Sequence, residues 1–361
     1  MKRPFDYMLF LTTLLLVAIG LTMVFSASGI LAKEKFGGSF FFLRKELMAF
    51  VVGMGAMLAA RIVPLQTIRR AALPLFLVTL VLMGLVFVPS LGVTAGGASR
   101  WLRLGPLTIQ PSEIAKLSLV LFMAHILAKK QQRIGFLGSF VSPMIFAGLA
   151  IGLTLLGKDL GGGAVMGATL FFLMFTGGVR PAYLLSEILL ALPALYLLIA
   201  SVPYRKKRIL AFLNPWEYER GAGFQIIQSY VAFHAGSFFG QGLGEGKQKL
   251  FYLPEAHTDF IFSVIGEELG LFGTLTVIGL FVLWLCRAIR IGWRAQDPFA
   301  SYAAFGIAFM IGLQALFNMA VVTGLLPTKG LPLPFVSYGG TSLVMALMSV
   351  GILLNISSRT G

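Results

Sequence analysis

Long apolar stretches recur along almost the whole chain, and most of them run for about 20 residues, the length that a helix needs to cross the hydrocarbon core of a bilayer. The composition agrees, because 57% of the 361 residues are hydrophobic and only 12% are charged. An average soluble domain carries about 25% charged residues. We predict an all-α polytopic membrane protein with about ten transmembrane helices in a single integral membrane domain, 1–361. The predicted spans are 7–27, 43–63, 71–89, 112–128, 138–157, 160–178, 183–202, 260–288, 300–325 and 338–357.

Lys and Arg concentrate in alternate short loops, and this bias predicts that those loops and both termini are cytoplasmic. The other face then receives "GVTAGGASRWLRLGP", "LLPTKGLPLPF" and a large loop, 203–258, between the seventh and eighth spans. That loop is rich in aromatic residues, and "FQIIQSYVAFHAGSFF" within it suits a helix lying in the membrane interface. We therefore predict a structured outer loop. Its basic start, "PYRKKRIL", opposes the charge bias, so Arg205, Lys206, Lys207 and Arg208 either reach toward lipid headgroups or hold a phosphate.

The net charge of +15 would suggest nucleic acid in a soluble protein. In a membrane protein it is better explained by anionic headgroups or a polyanionic lipid substrate, so no nucleic-acid partner is predicted. The single Cys286 excludes an intrachain disulfide and a cysteine-based metal site. His257 has no second His or Cys at ligand spacing, and the sequence contains no P-loop, GxGxxG, GxSxG or HExxH motif. No metal site is predicted from these residues.

Carboxylates concentrate in one short stretch, "LPEAHTDFIFSVIGEELG", among only 14 acidic residues in the chain. Asp259 directly precedes an apolar run and is expected at the outer boundary of the eighth span, where a helix N-terminus favours a carboxylate. Glu267 and Glu268 are expected about two turns further along, roughly 12 Å into the span. Intramembrane carboxylates must find partners, face a cavity or share a proton. Asp259 is the functional candidate, and Glu267 and Glu268 are either functional or counter-ions to basic residues.

Two other charged groups lie within the predicted spans. Glu113 and Lys116 are three residues apart, so they can pair on one helix face, either to lock the packing of the helices or to contact a substrate. Asp159 is followed by three glycines, which permit close backbone approach, and the adjacent Lys158 can compensate its charge.

The motifs "GASRWLRLGPLTIQPSEIAKL", "KDLGGG", "QKLFYLPEAHTDFIFSVIGEELG", "LLPTKGLPLPFVSYGGTSL" and "GILLNIS" resemble the SEDS family (shape, elongation, division and sporulation). The resemblance runs from about Asp6 to Ser358, in order and at the family's spacing. Three of these stretches look more like the cell-division branch, with the elongation branch a close second. Lys158 departs from the family pattern, which more often has proline before Asp-Leu-Gly, and this weakens any detailed role for Asp159.

The resemblance implies a peptidoglycan glycosyltransferase of the bacterial cytoplasmic (inner) membrane that polymerises lipid II, a disaccharide-pentapeptide on undecaprenyl pyrophosphate, at the outer face. It also implies a cognate class B penicillin-binding protein as partner, together with other divisome or elongasome membrane proteins. The family's essential aspartate falls on Asp259, and its conserved Glu and Lys of the fourth span fall on Glu113 and Lys116. No organic cofactor is expected, and a divalent cation (Mg²⁺ or Mn²⁺) is a candidate.

This chemistry suits a carboxylate at the mouth of the membrane, which can take the proton of an attacking sugar hydroxyl. Asp259 is the predicted general base, and Asp259→Ala is predicted to abolish polymerisation. The predicted substrate-binding residues, including cations for the leaving pyrophosphate, are Glu113, Lys116, Arg103, Asp159, Arg205, Lys207, Glu267 and Lys329. A lipid II flippase and a non-catalytic scaffold for the transpeptidase are the alternatives, and product analysis distinguishes them.

Overall fold

The computed structural model describes residues 5–95, 98–105, 107–129, 137–200, 202–250 and 252–359. Most of these residues lie in helices joined by short turns. The helices are α1 Tyr7–Phe36, α2 Phe41–Ile62, α3 Leu65–Leu85, α4 Pro111–Lys129, α5 Leu137–Leu156, α6 Leu160–Thr176, α7 Pro181–Ala200, α8 Pro203–Leu213, α9 Phe224–Gly236, α10 Ile261–Arg294, α11 Pro298–Val322 and α12 Gly340–Ser357.

Each of the ten predicted spans coincides with one of these helices, and the prediction of a polytopic, predominantly helical membrane protein is confirmed. Within the described residues, six helices are individually long and apolar enough to cross a bilayer: α1, α3, α4, α10, α11 and α12. Ten as the number of crossings stays a prediction. Part of the basic loop after α4, residues 130–136, lies outside the described residues.

The predicted outer loop, 203–258, contains α8, a short 3₁₀ turn (Pro215–Tyr218) and α9. The stretch expected to form an interfacial helix is α9, which packs against the start of α10. A Cβ atom placed on Gly236 of α9 would clash with the Gly266 carbonyl oxygen of α10. The two backbones therefore touch, and a hydrogen bond of 2.7 Å between the Ser229 and Ser263 hydroxyls fixes the contact.

A small antiparallel sheet precedes α4, and the sequence analysis did not predict it. Its strands are β1 Gly92–Ala95, β2 Ala98–Leu104 and β3 Leu107–Ile109, in the order β1-β2-β3. Val93 pairs with Trp101 and the next residue, Thr94, pairs with Ser99, so Arg100 is the extra residue of a bulge in β2. A bulge of this kind bends a strand and redirects a side chain.

The register between α1 and α10 shows how far apart the two ends of the bundle lie. Asp6, just before α1, forms a 2.6 Å ion pair with Arg287, and the Trp284 indole donates to Thr13. Twenty residues along from Asp6, Ser26 donates at 2.7 Å to Glu268. Twenty helical residues span about 30 Å, which is the thickness of the hydrocarbon core. We call the end that contains Asp6 and Arg287 the termini end of the bundle, and the end that contains Ser26 and Glu268 the Asp259 end.

The register places Glu268 beside Ser26, about 30 Å along α1 from Asp6, and the depth of Glu267 and Glu268 in the membrane stays a prediction. A break at Gly270, whose φ is 64°, interrupts α10 two residues after Glu268. Backbone carbonyls of the preceding loop accept the amides that the break exposes, with Ser237 bonding Leu271 at 2.9 Å and Phe238 bonding Phe272 at 3.2 Å. Only the part of α10 after the break continues toward the termini end.

Candidate active site

Asp259 directly follows the loop 203–258 and lies two residues before α10 begins, at the helix boundary where it was predicted. Three other segments fix its backbone and side chain. The Asn318 side-chain amide of α11 donates to the Asp259 carbonyl at 2.8 Å, and the Tyr338 amide donates to the His257 carbonyl at 3.0 Å. The Asp259 carboxylate lies against Gly330, where an added Cβ would be 2.7 Å from Oδ2.

The electrostatic environment of Asp259 disfavours its charge. Its pKa is raised from 3.8 to about 7, mainly because burial penalises the ionised carboxylate. The neighbouring Glu255 raises this pKa as well, Arg100 lowers it, Asp159 raises it and Arg208 lowers it. Mixed charges surround the carboxylate, so burial decides the direction of the shift. A base with a pKa near the working pH is well matched to proton transfer.

Arg100 reaches the site because it is the bulged residue of β2. Its guanidinium donates to the Gly157 carbonyl at 3.3 Å and to the Lys158 carbonyl at 2.5 Å, which ties the sheet to the turn between α5 and α6. Lys158 in that turn has a φ of 63°, a left-handed conformation that is uncommon for a residue with a side chain. The turn brings Asp159 close enough to act on the pKa of Asp259.

Asp159 caps α6 and is therefore part of the scaffold of the site. Its Oδ1 accepts from the Gly162 amide at 3.0 Å, which satisfies an N-terminal helix donor. Its Oδ2 accepts from the Ser112 hydroxyl at 3.4 Å at the start of α4. The capped carboxylate is buried and faces the same region as Asp259, so the structure brings these two predicted residues together.

Glu113 and Lys116 form the predicted pair, with 2.8 Å between Lys116 Nζ and Glu113 Oε1. Both side chains are buried in α4, the most enclosed of the six long helices. Lys116 also donates at 2.6 Å to Gln314 Oε1 of α11, and Gln314 in turn donates at 2.9 Å to the Pro332 carbonyl. The pair is thus connected to the loop 328–335 that carries Gly330.

The other predicted cations differ in their placement. Arg103 and Lys207 are exposed on β2 and α8, and Arg205 is half-buried on α8. Lys329 is half-buried beside Gly330, and burial lowers its pKa. Of this group, Lys329 is the one whose neighbour in the chain contacts Asp259. Substrate contacts for all four stay predictions.

Glu267 was predicted to bind substrate, and this stays a prediction, but its carboxylate is already engaged by backbone amides. Its carboxylate is buried and accepts from the Lys247 amide at 2.7 Å and the Gln248 amide at 3.2 Å. The adjacent Glu268 accepts from Lys249 at 2.6 Å, from Ser26 and from the Gly244 amide at 3.1 Å. The two glutamates fasten the loop 244–249 to α10. Glu268 pairs with a basic residue, as the counter-ion alternative expects, whereas the bonds of Glu267 are to backbone amides.

Sequence reasoning missed three residues of the site, Arg100, Gln314 and Asn318, and it named Arg208 only as one of four basic residues that reach headgroups or hold a phosphate. Arg208 lies on α8 and donates at 3.0 Å to the Thr328 carbonyl. Gln314 and Asn318 were detectable in principle, because "GLQALFNMA" places two amides four residues apart in an apolar helix. Arg100 carried no such signal, since choosing it over Arg103 requires the bulge in β2.

The predicted divalent cation is not tested by the arrangement of the described residues, because Mg²⁺ is commonly held by one or two carboxylates together with substrate phosphates. In the part of the chain that the structure describes, no group of three or more His, Cys, Asp and Glu side chains could hold a metal ion. The Asp159 carboxylate is already engaged with the Gly162 amide and the Ser112 hydroxyl. A divalent cation stays an untested prediction, and no chemical step is derived through it.

Comparison with known proteins gives consistent results over the full length. The family model described as cell cycle protein (FtsW, RodA, SpoVE) matches residues 6–361. The chain is 47% identical over 356 residues to a probable peptidoglycan glycosyltransferase FtsW of Geobacter metallireducens, covering 98% of this chain and 95% of that protein. It is 43% identical to stage V sporulation protein E of Bacillus subtilis, covering 99% and 98%.

Two solved structures resemble the fold over nearly their whole length. A peptidoglycan synthase complex that coordinates polymerization and crosslinking contains a chain with a TM-score of 0.78 and 29% identity, covering 99% of this chain and 98% of that one. The rod shape determining protein RodA of Thermus thermophilus gives a TM-score of 0.73 and 27% identity, covering 99% and 97%.

Proposed function

Because the chain belongs to the FtsW, RodA and SpoVE family of cell-cycle proteins, we infer that it is a peptidoglycan glycosyltransferase of septal cell-wall synthesis. The predicted SEDS resemblance is confirmed by this membership, and the FtsW relatives at 47–48% identity favour the division branch. The substrate that suits this activity is lipid II. We place the protein in the bacterial inner membrane, with both termini cytoplasmic and the Asp259 end of the bundle at the outer face.

The observation that carries the proposed mechanism is the raised pKa of Asp259, about 7, in a cluster that also contains Arg100, Arg208 and Asp159. The 4-hydroxyl oxygen of the acceptor sugar attacks the anomeric carbon of the growing strand. A new carbon–oxygen bond forms, and the bond from that carbon to the pyrophosphate oxygen breaks, with its electron pair leaving on the lipid pyrophosphate. The hydroxyl proton passes to the Asp259 carboxylate, which acts as general base.

The departing pyrophosphate requires positive charge where its own charge develops. Arg100 and Arg208 are the cations that act on Asp259 electrostatically, so they are the first candidates, followed by Lys329 in the adjoining loop. Both arginines are also bound to backbone carbonyls of the chain, Arg100 at the α5–α6 turn and Arg208 at Thr328. Such bonds hold a guanidinium in place before the substrate arrives, which is how preorganised charge stabilises a transition state.

A partner is expected because the similar solved structure is a complex for polymerization and crosslinking. The proposed partner is a cognate class B penicillin-binding protein, which cross-links the strands as they form. Other divisome proteins and the surrounding lipids complete the proposed setting.

The test is lipid II polymerisation by the purified chain with its cognate transpeptidase, comparing wild type with Asp259→Ala and the isosteric Asp259→Asn. General-base catalysis contributes about 10²–10⁴-fold, so both variants should lose strand synthesis while they still fold and bind the partner. Asp6→Asn is the matched control, because Asp6 is a buried aspartate at the termini end.

If folded Asp259→Asn polymerised lipid II at the wild-type rate, Asp259 would not be the general base. If wild type makes no strands but moves lipid II across liposomes, the protein is a transporter. If the complex with the transpeptidase kept its activity in both Asp259→Ala and Asp259→Asn, the chain would be a non-catalytic scaffold.

A further inference from the structure

Two buried amide side chains lie one turn apart on the same face of α11, in an otherwise apolar stretch. Gln314 is 4% exposed and Asn318 is 2% exposed. Burying an amide in an apolar interior is unfavourable unless hydrogen bonds replace those made with water. The contacts of these two side chains therefore explain why they are there.

Asn318 connects the backbone of Asp259 to the loop 328–335. Its Nδ2 donates to the Asp259 carbonyl at 2.8 Å and to the Leu331 carbonyl at 2.7 Å. Its Oδ1 is buried and has no hydrogen-bond partner among the residues that the structure describes. Flipping the amide would point that oxygen at two carbonyl oxygens, so the two bonds from Nδ2 set the orientation of the side chain. An amide kept in place with an unsatisfied oxygen indicates that these two bonds matter.

Gln314 makes the corresponding connection one turn away. Its Nε2 donates at 2.9 Å to the Pro332 carbonyl, the residue after Leu331, and its Oε1 accepts at 2.6 Å from Lys116. Lys116 is itself paired with Glu113. The loop carbonyls are therefore fixed by α11, and α11 is fixed to the buried ion pair of α4.

The loop held in this way is the one that contacts the Asp259 carboxylate. Gly330 directly precedes Leu331, and its Cα faces the carboxylate so closely that an added Cβ would be 2.7 Å from Oδ2. Asn318 thus fixes both partners of the contact, the backbone of Asp259 on one side and the loop on the other. A movement of either backbone would change where the carboxylate points.

We propose that Gln314 and Asn318 are positioning residues that hold Asp259 and the loop 330–332 at a fixed separation, so that the carboxylate meets the acceptor hydroxyl in one orientation. This inference rests on the proposed role of Asp259 as the base. Neither amide needs to touch substrate. Their effect reaches the reaction through the position of Asp259, and Lys116 and Glu113 act one contact further away.

The chain offers a matched control at the other end of the bundle. Asn355 of α12 is fully buried, and its Nδ2 also bridges two backbone carbonyls, those of Ala60 at 2.8 Å and Val63 at 2.6 Å. Asn318→Leu and Asn355→Leu each remove two hydrogen bonds from Nδ2 to backbone carbonyls, one pair at Asp259 and the other near the chain termini. Asn355→Leu also removes the bond that Oδ1 accepts from Arg359 at 2.9 Å. Its loss of stability should therefore be at least as large, whereas loss of catalysis should be confined to Asn318→Leu.

The experiment measures lipid II polymerisation by the full chain with its cognate transpeptidase, as kcat and KM across a range of pH. For Asn318→Leu we expect kcat to fall by about 10- to 100-fold, with KM within about threefold of wild type, because misplacing a reacting group acts on the chemical step. The acid side of its pH profile should also move to lower pH, because a loosened carboxylate is better solvated. Asn355→Leu should keep the wild-type kcat and pH profile.

Equal effects of the two leucine variants on kcat, with Asp259→Asn inactive, would overturn the positioning role and leave the base role intact. An active Asp259→Asn would instead remove the proposed function on which the inference rests. If Asn318→Leu does not fold, Asn318→Ser and Asn355→Ser are judged by the same criteria, since a serine hydroxyl can keep one of the two bonds. Gln314→Glu keeps an acceptor for Lys116 but removes the donor to the Pro332 carbonyl, so it should lower kcat at least as much as Gln314→Met.

Discussion

The termini end and the Asp259 end of the bundle each contain an aspartate that is at least partly buried, and the surroundings of the two differ. Asp6 accepts two bonds from the Arg287 guanidinium, from Nε at 3.0 Å and from Nη2 at 2.6 Å, and it also caps α1 through the Leu9 amide. Asp259 lies between cations and anions that oppose one another, and burial raises its pKa to about 7. One carboxylate is fully used by the fold, while the other remains able to take up a proton.

The surroundings of the two aspartates are nevertheless equally well anchored. Asn355 fastens α12 to the end of α2 at the termini end, and Asn318 fastens Asp259 to the loop after α11. The difference teaches that this protein does not create a reactive carboxylate by loosening its structure. Hydrogen bonding anchors the backbone of Asp259, and among the described residues no cation forms an ion pair with its side chain, so burial can raise its pKa as it does at many functional sites.

The largest expected effect comes from Gly330→Ala at the Asp259 end. The new methyl carbon would lie 2.7 Å from Asp259 Oδ2, which is too close for two non-bonded atoms. A side-chain carboxylate moves more easily than backbone, so we expect the Asp259 carboxylate to be displaced. The fold should therefore survive while the base moves, with polymerisation falling about 100-fold. Gly339→Ala in the same loop is the control, because its nearest neighbour is at 3.4 Å and its φ of 175° suits any residue. Similar rates for the two variants would contradict the close contact between Gly330 and Asp259.

A second prediction compares stability at the two ends, at pH 8. The pKa of Asp259 is higher in the folded protein than in the unfolded chain. The contribution of this group to the free energy of unfolding is therefore fully present below the pKa of the unfolded chain and is lost as the pH rises through about 7. Asp259→Asn should therefore raise the Tm at pH 8 by about 2–4 °C. Asp6→Asn should lower the Tm, because Arg287 loses its charged partner. Thermal unfolding in detergent measures both, and a fall in Tm for both variants would show that the two ends are equivalent.

The smallest effect is a change in pH dependence at the Asp259 end. Polymerisation by the wild type should decline as the pH falls through about 7, because protonation removes the base. Arg100→Gln removes a cation that lowers the pKa of Asp259, so this decline should begin at higher pH. Glu255→Gln removes an anion that raises this pKa, so the decline should begin at lower pH. Initial rates across the pH range measure both, and shifts in the same direction would show that neither charge acts on the carboxylate as described.

Much of the fold was predictable because spans are encoded locally. An apolar stretch of about 20 residues is helical in a bilayer whatever its neighbours are, since every backbone polar group must be satisfied within the segment. The ten predicted spans accordingly fall on helices, and α9 was identified within the outer loop from its amphipathic sequence. The sheet at 92–109 was missed because its strands are short and pair only with one another. The break at Gly270 was missed because loop residues about 30 positions earlier stabilise it.

The site was predictable to a lesser extent. Asp259, Glu113, Lys116 and Asp159 were singled out because a charge in an apolar sequence is conspicuous. Their partners were not, because the bonds join distant positions: Lys116 and Gln314 are 198 residues apart, and Asn318 and Asp259 are 59 apart. Glu267 is the clearest case, since an equally conspicuous carboxylate proved to fasten a loop.

The amino-acid sequence by itself determined that this chain is a bundle of membrane helices with an acidic group at the start of the eighth span. Hydrophobic length and the cost of burying charge act locally, and both can be read one segment at a time. Only the tertiary structure decided which carboxylate is neutralised by a partner and which is left with a raised pKa, and whether Arg100 or Arg103 faces the site. Those outcomes depend on distances between segments remote in the chain, because the electrostatic effect of one group on another depends on their separation and burial in the folded protein.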